Sequence, residues 1–84
     1  MTRQILGRYI VADSKVCHGQ LTFSGTRILV EDVLYMVAKG MDWKEIVRQW
    51  HNKITEEGIA EAVNLSRQAF LDHAHEYVVE TIPA

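Results

Sequence analysis

The junction at Gly40 and Asp42 constrains the fold of this chain more than any other feature. Ahead of it, apolar residues recur at helical spacing, and Lys39 and Gly40 are typical of a helix end. Beyond it, Asp42 is a favoured N-cap, Glu45 can reach back to complete a capping box, and two tryptophans lie on the apolar stripe of a second helix. Because two short amphipathic helices are not stable alone, they need a third element to cover them.

Thr55 predicts the start of that third element, a longer helix. It is a favoured N-cap, and Glu56 and Glu57 follow in the first turn, where carboxylates stabilise a helix. Apolar residues then recur at helical spacing, so the helix is expected to run from Glu56 to near Tyr77. It is longer than its two partners can cover, which leaves apolar surface for a second copy or for another protein.

The first third of the chain predicts a short β-ribbon. Arg8–Ala12 is rich in β-forming residues, Gln20–Phe23 alternates polar and apolar residues as a half-buried strand does, and turn residues separate the two segments. Because so small a ribbon is marginal in water, it should lie on the helices or pair with a second copy. The expected fold is mainly α: a three-helix core with a short N-terminal β-ribbon and an extended C-terminal helix.

Length and composition indicate one domain. The chain has 84 residues, of which 48% are hydrophobic and 24% charged, as in ordinary globular proteins. We expect a single domain over 1–84, with the ribbon at about 8–29 and the three helices at about 30–77. The apolar runs are too short for a membrane span or a signal peptide, and the single cysteine, Cys17, cannot form an internal disulfide. These features predict a cytoplasmic location.

The charge is unevenly distributed along the chain, although the net charge is only −2. Residues 1–30 carry four basic side chains against Asp13 alone, whereas residues 55–84 carry six acidic side chains against Arg67 alone. The front of the chain could therefore face an anionic partner and the rear a basic one. Two solvated surfaces would explain the same distribution.

An ordered series of short motifs resembles a known family. It consists of a strand-turn glycine, a Gly-Thr-Arg-Ile tetrapeptide, an apolar helix that ends in glycine, and two further helices: Gly19, Gly25–Ile28, Val30, Gly40, Glu45, Ile46, Thr55, Ile59 and Ala62. Over roughly residues 8–70 the chain resembles the small bacterial and archaeal family catalogued as domain of unknown function 433. The resemblance implies a homeodomain-like three-helix core that carries a helix-turn-helix.

The resemblance also implies a function. Members of that family are often described as VapB-like antitoxins, each paired with a small PIN-like ribonuclease toxin. It thus implies a non-enzymatic protein that binds and inhibits a ribonuclease toxin and that could regulate its own operator by binding DNA. A core this small also favours a homodimer. The alternatives are a DNA-binding transcriptional regulator without a toxin partner and a structural homo-oligomer.

The charges argue against the familiar docking of a helix-turn-helix on DNA. That docking would place the helix after Thr55 in the major groove, where Glu56, Glu57 and Glu61 would meet phosphates of the same sign. If DNA is bound, we expect it at basic residues of the ribbon, the second helix and its connector: Arg3, Arg8, Lys15, Arg27, Lys44, Arg48 and Lys53.

Arg27 has a structural alternative that needs no ligand. An arginine two residues after a turn glycine can fix the ribbon on the first helix by pairing with a nearby carboxylate: Asp13, Glu31 or Asp32. This alternative would explain the Gly-Thr-Arg-Ile motif by stability alone.

The acidic third helix favours a protein partner. A ribonuclease presents a basic cleft to RNA, and an acidic helix with surplus apolar residues could lie in that cleft or beside it. The candidate partner-binding residues lie along this helix: Glu61, Arg67, Phe70, Leu71, His75 and Tyr77. A homodimer that uses the same surface is the alternative.

No residue pattern indicates an enzyme, so we expect no catalytic residues and no cofactor. Cys17 and His18 are adjacent, but a nucleophile–base pair depends on fold geometry and not on adjacency in sequence. His73 and His75 are two residues apart on a predicted helix and point to different faces, so no metal site is expected. The sequence has no Cys-x-x-Cys motif and no glycine-rich phosphate loop.

Overall fold

Three helices follow a small antiparallel sheet in the computed structural model, which describes residues 3–77. Two short 3-10 turns, Cys17–Gly19 and Ala74–Tyr77, accompany them. The strands and helices are β1 (Arg3–Ile5), β2 (Ile10–Asp13), β3 (Leu21–Phe23), α1 (Val30–Ala38), α2 (Trp43–Gln49) and α3 (Glu56–Asp72). The prediction of a mainly helical chain with an N-terminal β-ribbon is confirmed.

The junction between α1 and α2 forms as its sequence predicts, with one exception. Gly40 has a φ of +84°, the left-handed conformation that ends α1. The Asp42 carboxylate accepts a hydrogen bond from the N–H of Lys44 at 3.1 Å and so caps α2. Glu45, however, forms an ion pair with Arg48 on the exposed side of α2. The predicted capping box is therefore half formed, because the carboxylate of Glu45 reaches forward along the helix.

The third helix starts where predicted and ends earlier. The hydroxyl of Thr55 accepts a hydrogen bond from a first-turn N–H at 3.0 Å, as expected for an N-cap. The α-helix ends at Asp72 and gives way to the 3-10 turn Ala74–Tyr77, where the N–H of Glu76 bonds to the carbonyl of His73 at 2.9 Å. The predicted continuous helix to near Tyr77 is thus corrected: the last turn tightens, as is frequent at exposed helix ends.

The sheet has the strand order β1-β2-β3, with both neighbouring pairs antiparallel. Its first strand lies ahead of the predicted start of the ribbon at about residue 8. In the register of β2 and β3, Ile10 lies opposite Phe23, and Val11 lies opposite Thr22. An isolated bridge joins Thr22 to Leu29, just before α1. This bridge ties the sheet directly to the start of the helical part.

One hydrophobic core lies between the sheet and the helices. The strands β2 and β3, the three helices and the segments beside them contribute buried residues to this core. They are Ile10, Phe23, Ile28, Val30, Val33, Ile46, Ile54, Ile59 and Ala62. Trp43 and Trp50 are half-buried and pack against this cluster, and the indole N–H of Trp50 lies 3.3 Å from the sulfur of Met36. Both tryptophans therefore support the core, as their spacing predicts.

Alternation along the strands gives the sheet two unlike faces. The inner face carries Ile10 and Phe23, which belong to the core. The outer face carries Val11 and Thr22, which are buried as well but lie outside that cluster. Because residues paired across antiparallel strands share a face, the register also places Arg3 on the outer face.

Candidate functional site

The outer face of the sheet lies at the base of an open groove of about 1170 Å³. Its walls come from the loop between β3 and α1 and from the connection between α2 and α3. Three of the seven predicted nucleic-acid contacts line it, Arg3, Arg27 and Lys53, and we call it the basic groove. Three segments that are distant in sequence thus bring these cations to one place.

The cations of the basic groove are almost without partners inside the chain. All three side chains are exposed. The guanidinium of Arg3 makes one long contact, 3.4 Å, to the hydroxyl of Ser24. Within residues 3–77, neither Arg27 nor Lys53 donates a side-chain hydrogen bond or joins an ion pair. Their charges are therefore available to an anionic ligand.

The structural alternative for Arg27 does not form in the described part of the chain, where no ion pair joins it to any of the three candidate carboxylates. The neighbouring Thr26 fixes the turn instead. Its hydroxyl donates to the carbonyl of Phe23 at 2.8 Å and accepts from the N–H of Ile28 at 3.0 Å. The threonine of the Gly-Thr-Arg-Ile motif thus stabilises the turn itself, a role that sequence analysis did not predict.

Other polar groups share the basic groove with the three cations. Asp13, Asp32 and His51 line it, and one oxygen of Asp13 already accepts a hydrogen bond from the N–H of Lys15 at 2.9 Å. Trp50 also contributes to the wall. The groove therefore combines an excess of positive charge with acceptors and an aromatic ring.

Thr22 and Cys17 add two further features to the basic groove. Thr22 is only 1% exposed, and among the described residues its hydroxyl has no hydrogen-bond partner. Such a buried, unpaired hydroxyl is rare and calls for an explanation. Cys17 is half-buried in the wall, and its thiol donates a weak hydrogen bond, 3.6 Å, to the carbonyl of Arg27.

The other four predicted nucleic-acid contacts do not line the basic groove. The guanidinium of Arg8 lies 5.5 Å from the centre of the Tyr9 ring, a distance typical of a cation–π contact. Arg48 pairs with Glu45. Lys15 and Lys44 are exposed. The structure therefore divides the seven cations into a cluster of three and four scattered ones.

Most of the predicted partner-binding residues share the second half of α3 and the turn after it. All side chains from Ser66 to Tyr77 are exposed, and we call this segment the C-terminal surface. It includes Phe70, Leu71 and Tyr77, and the rings of Phe70 and Tyr77 lie 5.2 Å apart. Arg67 and His75 belong to the same surface.

Glu61 has an internal role, unlike the other predicted partner-binding residues. Its two carboxylate oxygens accept hydrogen bonds from the backbone N–H groups of Arg8 and Tyr9, at 2.9 and 2.7 Å. The turn between β1 and β2 is thereby held on α3. Gly7 makes this approach possible, since a Cβ at that position would lie 2.6 Å from the carboxylate carbon. Sequence analysis missed Gly7, and no local pattern could have linked it to Glu61.

A second, apolar groove lies between the sheet, α1 and α3. It measures about 570 Å³ and is lined by Leu6, Leu21, Leu34, Leu65 and Ala69 together with smaller contributions from neighbouring residues. Leu6 and Leu21 are more than one-third exposed. We call it the apolar groove. Leu6 follows directly after β1, which is one of the two edge strands of the described sheet, the other being β3.

Within residues 3–77, no three His, Cys, Asp or Glu side chains come close enough together to hold a metal ion. His73 and Glu76 form an exposed pair at 2.7 Å, with His75 beside it at 3.7 Å. None of the helices in this part of the chain combines the length and the apolar composition of a membrane span.

Fold and sites together define a small α-helical protein that carries a β-ribbon, a basic groove and an exposed C-terminal surface. Residues 10–64 match the family described as protein of unknown function (DUF433), and the chain belongs to this family. The resemblance seen in the sequence is thereby confirmed. No curated protein and no solved structure matches the chain.

Proposed function

We propose that this chain is a non-enzymatic, cytoplasmic, antitoxin-like protein that binds and inhibits a small ribonuclease toxin. The observation that carries the proposal is the C-terminal surface. There α3 and the turn after it extend past the core and display Phe70, Leu71 and Tyr77, which are 53%, 59% and 60% exposed. Because a cluster of exposed large apolar side chains marks an interaction site, a partner protein is expected to cover it.

The charge of α3 suits a partner that itself binds RNA. A ribonuclease needs a positive cleft to attract phosphates. Asp72 and Glu76 lie on the C-terminal surface, and Glu56 and Glu57 lie exposed in the first turn of the same helix. An acidic, amphipathic helix laid in a groove is a common mode of recognition. The contact between the rings of Phe70 and Tyr77 would hold part of this surface in place before binding, which reduces the entropic cost of association.

The proposal includes the finer fold, a homeodomain-like helix-turn-helix formed by α2 and α3. In that arrangement α3 would be the helix presented to DNA. Its exposed first turn is acidic, and carboxylates there would repel phosphates. The electrostatics therefore support a protein partner for α3 and leave any DNA contact to another surface.

We also propose a homodimer formed through β1 and the apolar groove. A second copy could pair with the free side of β1, since main-chain groups at a sheet edge remain available for pairing. The exposed leucines of the adjoining apolar groove, Leu6 and Leu21, would be covered by the same contact. Light scattering after gel filtration should give twice the monomer mass, and Leu21→Lys should return the protein to a monomer.

Affinity purification from the native host, followed by mass spectrometry, tests the toxin proposal. We expect a small, basic, nuclease-like protein that co-elutes in a fixed ratio and whose RNA cleavage is suppressed in the complex. A protein that elutes without any partner would contradict the proposal and favour the structural homo-oligomer. A complex that survives removal of all residues after Leu65 would contradict the proposed surface.

Single substitutions can then locate the contact. Phe70→Ala should weaken the complex by about 30-fold or more, the effect of a buried aromatic anchor at an interface. Tyr35→Ala is the matched control, because Tyr35 is an exposed aromatic residue, 62% exposed, on α1 and far from the C-terminal surface in the sequence. Equal losses in the two variants would contradict the assignment of the C-terminal surface.

A second candidate function is nucleic-acid binding without a toxin, as in a transcriptional regulator. The basic groove favours it, because Arg3, Arg27 and Lys53 line it and form no ion pairs with other residues of the described part of the chain. Such a protein would contact the phosphates of its duplex operator at the rim of the groove, with an affinity that falls steeply as the salt concentration rises.

A further inference from the structure

We infer that the basic groove binds a stretch of single-stranded nucleic acid, with the phosphates held by Arg3, Arg27 and Lys53. This site is separate from the C-terminal surface and does not depend on a toxin. It uses only three of the seven basic residues that the sequence predicts as nucleic-acid contacts. Substitutions in the groove can therefore be compared with substitutions of basic residues elsewhere. The ligand follows from three properties of the groove: its charge, its mixed polar groups and its size.

The charge of the groove is positive and unsatisfied. Three cations come from β1, from the loop after β3 and from the connection before α3. Their side chains are exposed, and the one contact that Arg3 makes is to a neutral hydroxyl. Cations brought together in this way repel one another, so an anionic ligand that bridges them is favoured.

The mixed polar groups favour a nucleic acid over a simple anion. Asp13 and Asp32 also face the groove, as does His51. Carboxylates would repel an acidic peptide or a lone phosphate. A nucleotide, by contrast, offers phosphates to the cations and amino groups of its bases to the carboxylates, as in known contacts of Asp and Glu with cytosine. Trp50, which packs against the core, also borders the groove.

The size and shape of the groove favour a single strand. Its volume of about 1170 Å³ slightly exceeds the range of about 300–1000 Å³ that is usual for small-molecule pockets. It is a groove between loops and sheet, so a flexible strand can enter it with its bases turned inward. A duplex keeps its bases stacked inside and could touch the rim only.

Thr22 supplies an independent indication that something binds at the base of the groove. Its hydroxyl is buried without a partner among the described residues, although Thr22 borders the groove. A polar group of this kind is costly in the free protein and is often found at functional sites. A base edge or a water molecule held by the ligand could satisfy it after a small movement of the wall.

Fluorescence anisotropy with a labelled twelve-residue oligothymidylate tests the proposal. We expect a slope of about −2 for log K against log salt, as three phosphate contacts on a single strand predict. The triple substitution Arg3→Ala, Arg27→Ala, Lys53→Ala should lower the affinity at least about tenfold and flatten that slope. The matched control is Lys39→Ala, Lys44→Ala, Arg67→Ala, which removes the same charge from exposed positions outside the groove. It should change the affinity less than about threefold.

Three outcomes would overturn the inference. If the control variant loses as much affinity as the groove variant, binding reflects net charge alone. If a duplex of the same length binds as tightly as the single strand, the ligand class is wrong. If polyglutamate competes as well as the oligonucleotide at equal charge, the groove accepts any polyanion. Circular dichroism of each variant shows whether the fold is kept.

Cys17 offers a direct test of location, since it is the single cysteine of the chain and lies in the groove wall. Bound oligothymidylate should slow the reaction of its thiol with a maleimide, and the slowing should disappear in the groove variant. Alkylation at an unchanged rate under saturating oligonucleotide would overturn the assignment to this groove. Phe70→Ala should leave both readouts unchanged, so that failure of the toxin proposal and failure of this inference can be told apart.

Discussion

The inner and outer faces of the sheet differ in how completely their polar groups are satisfied. On the inner side, Ile10 and Phe23 lie in the core, and Glu61 pairs both carboxylate oxygens with the turn between β1 and β2. On the outer side, Thr22 is equally buried, but within residues 3–77 its hydroxyl has no partner, and the three cations of the same groove form no ion pairs there. The same strands therefore serve stability on one face and, we infer, binding on the other.

Substitution of two neighbouring residues of β2 should give the largest difference in stability loss between the two faces. Ile10→Ala removes a side chain from the core and should lower the free energy of unfolding by about 3 kcal/mol. Val11 is the next residue and lies on the outer face, and Val11→Ala should lower the free energy of unfolding by about 1.5 kcal/mol. Urea denaturation followed by circular dichroism measures both. Equal losses would show that the outer face is packed as a second core, and the comparison would fail.

Glu61 tests whether the inner side is stabilised by its polar contacts as well as by its core. Glu61→Ala removes two hydrogen bonds between a carboxylate and backbone N–H groups and should cost about 2 kcal/mol. The free energy of unfolding of Glu61→Gln should lie between those of Glu61→Ala and the unchanged protein, because the amide keeps one acceptor oxygen. The control is Glu57→Ala, an exposed carboxylate in the first turn of α3, with an expected cost below about 1 kcal/mol.

The comparison of Glu61 with Glu57 also tests whether Glu61 belongs to the predicted partner-binding residues. If Glu61→Ala and Glu57→Ala cost the same, Glu61 does not hold the turn in solution, and its predicted role in partner binding becomes more attractive. If Glu61→Ala costs more, a weaker toxin complex in that variant would reflect damage to the turn. Partner binding should therefore be measured on residues of the C-terminal surface first.

Gly7 provides a second test of the contact between Glu61 and the turn after β1. A Cβ there would lie 2.6 Å from the carboxylate carbon of Glu61 and 2.6 and 2.7 Å from its oxygens, so Gly7→Ala should displace the carboxylate and cost about 1–2 kcal/mol. In the Glu61→Ala background the obstacle is gone, and the cost should fall to near zero or reverse, since alanine restricts the unfolded chain. A double-mutant cycle on urea denaturation measures the coupling. Additive costs would contradict the close approach.

Local signals in the sequence predicted much of the fold, whereas contacts between distant segments could not be predicted from it. The caps at Asp42 and Thr55 and the left-handed Gly40 were predictable because each depends on a few neighbouring residues. The contact of Glu61 with the turn after β1 joins groups more than fifty residues apart. It arises only when the sheet packs on α3.

The candidate sites show the same division between local and distant information. Exposure of Phe70, Leu71 and Tyr77 could be expected from the length of the third helix. By contrast, the selection of three cations out of seven needs the fold, since the three come from separate segments. The turn-stabilising role of Thr26 was not predicted, because the two hydrogen bonds of its hydroxyl depend on the geometry of the turn.

Two threonines four residues apart provide the smallest and most specific test of the comparison. Thr22→Val replaces a buried, unpaired hydroxyl with a methyl group of similar shape on a β-strand, and should raise the free energy of unfolding by about 1 kcal/mol. Thr26→Val removes a hydroxyl that makes two hydrogen bonds and should lower it by about 1–2 kcal/mol. The two substitutions are chemically identical, so opposite signs in urea denaturation would isolate the effect of hydrogen-bond satisfaction. If Thr22→Val is instead destabilising, its hydroxyl is already paired in solution, and the outer face would lose the feature that separates it from the inner one.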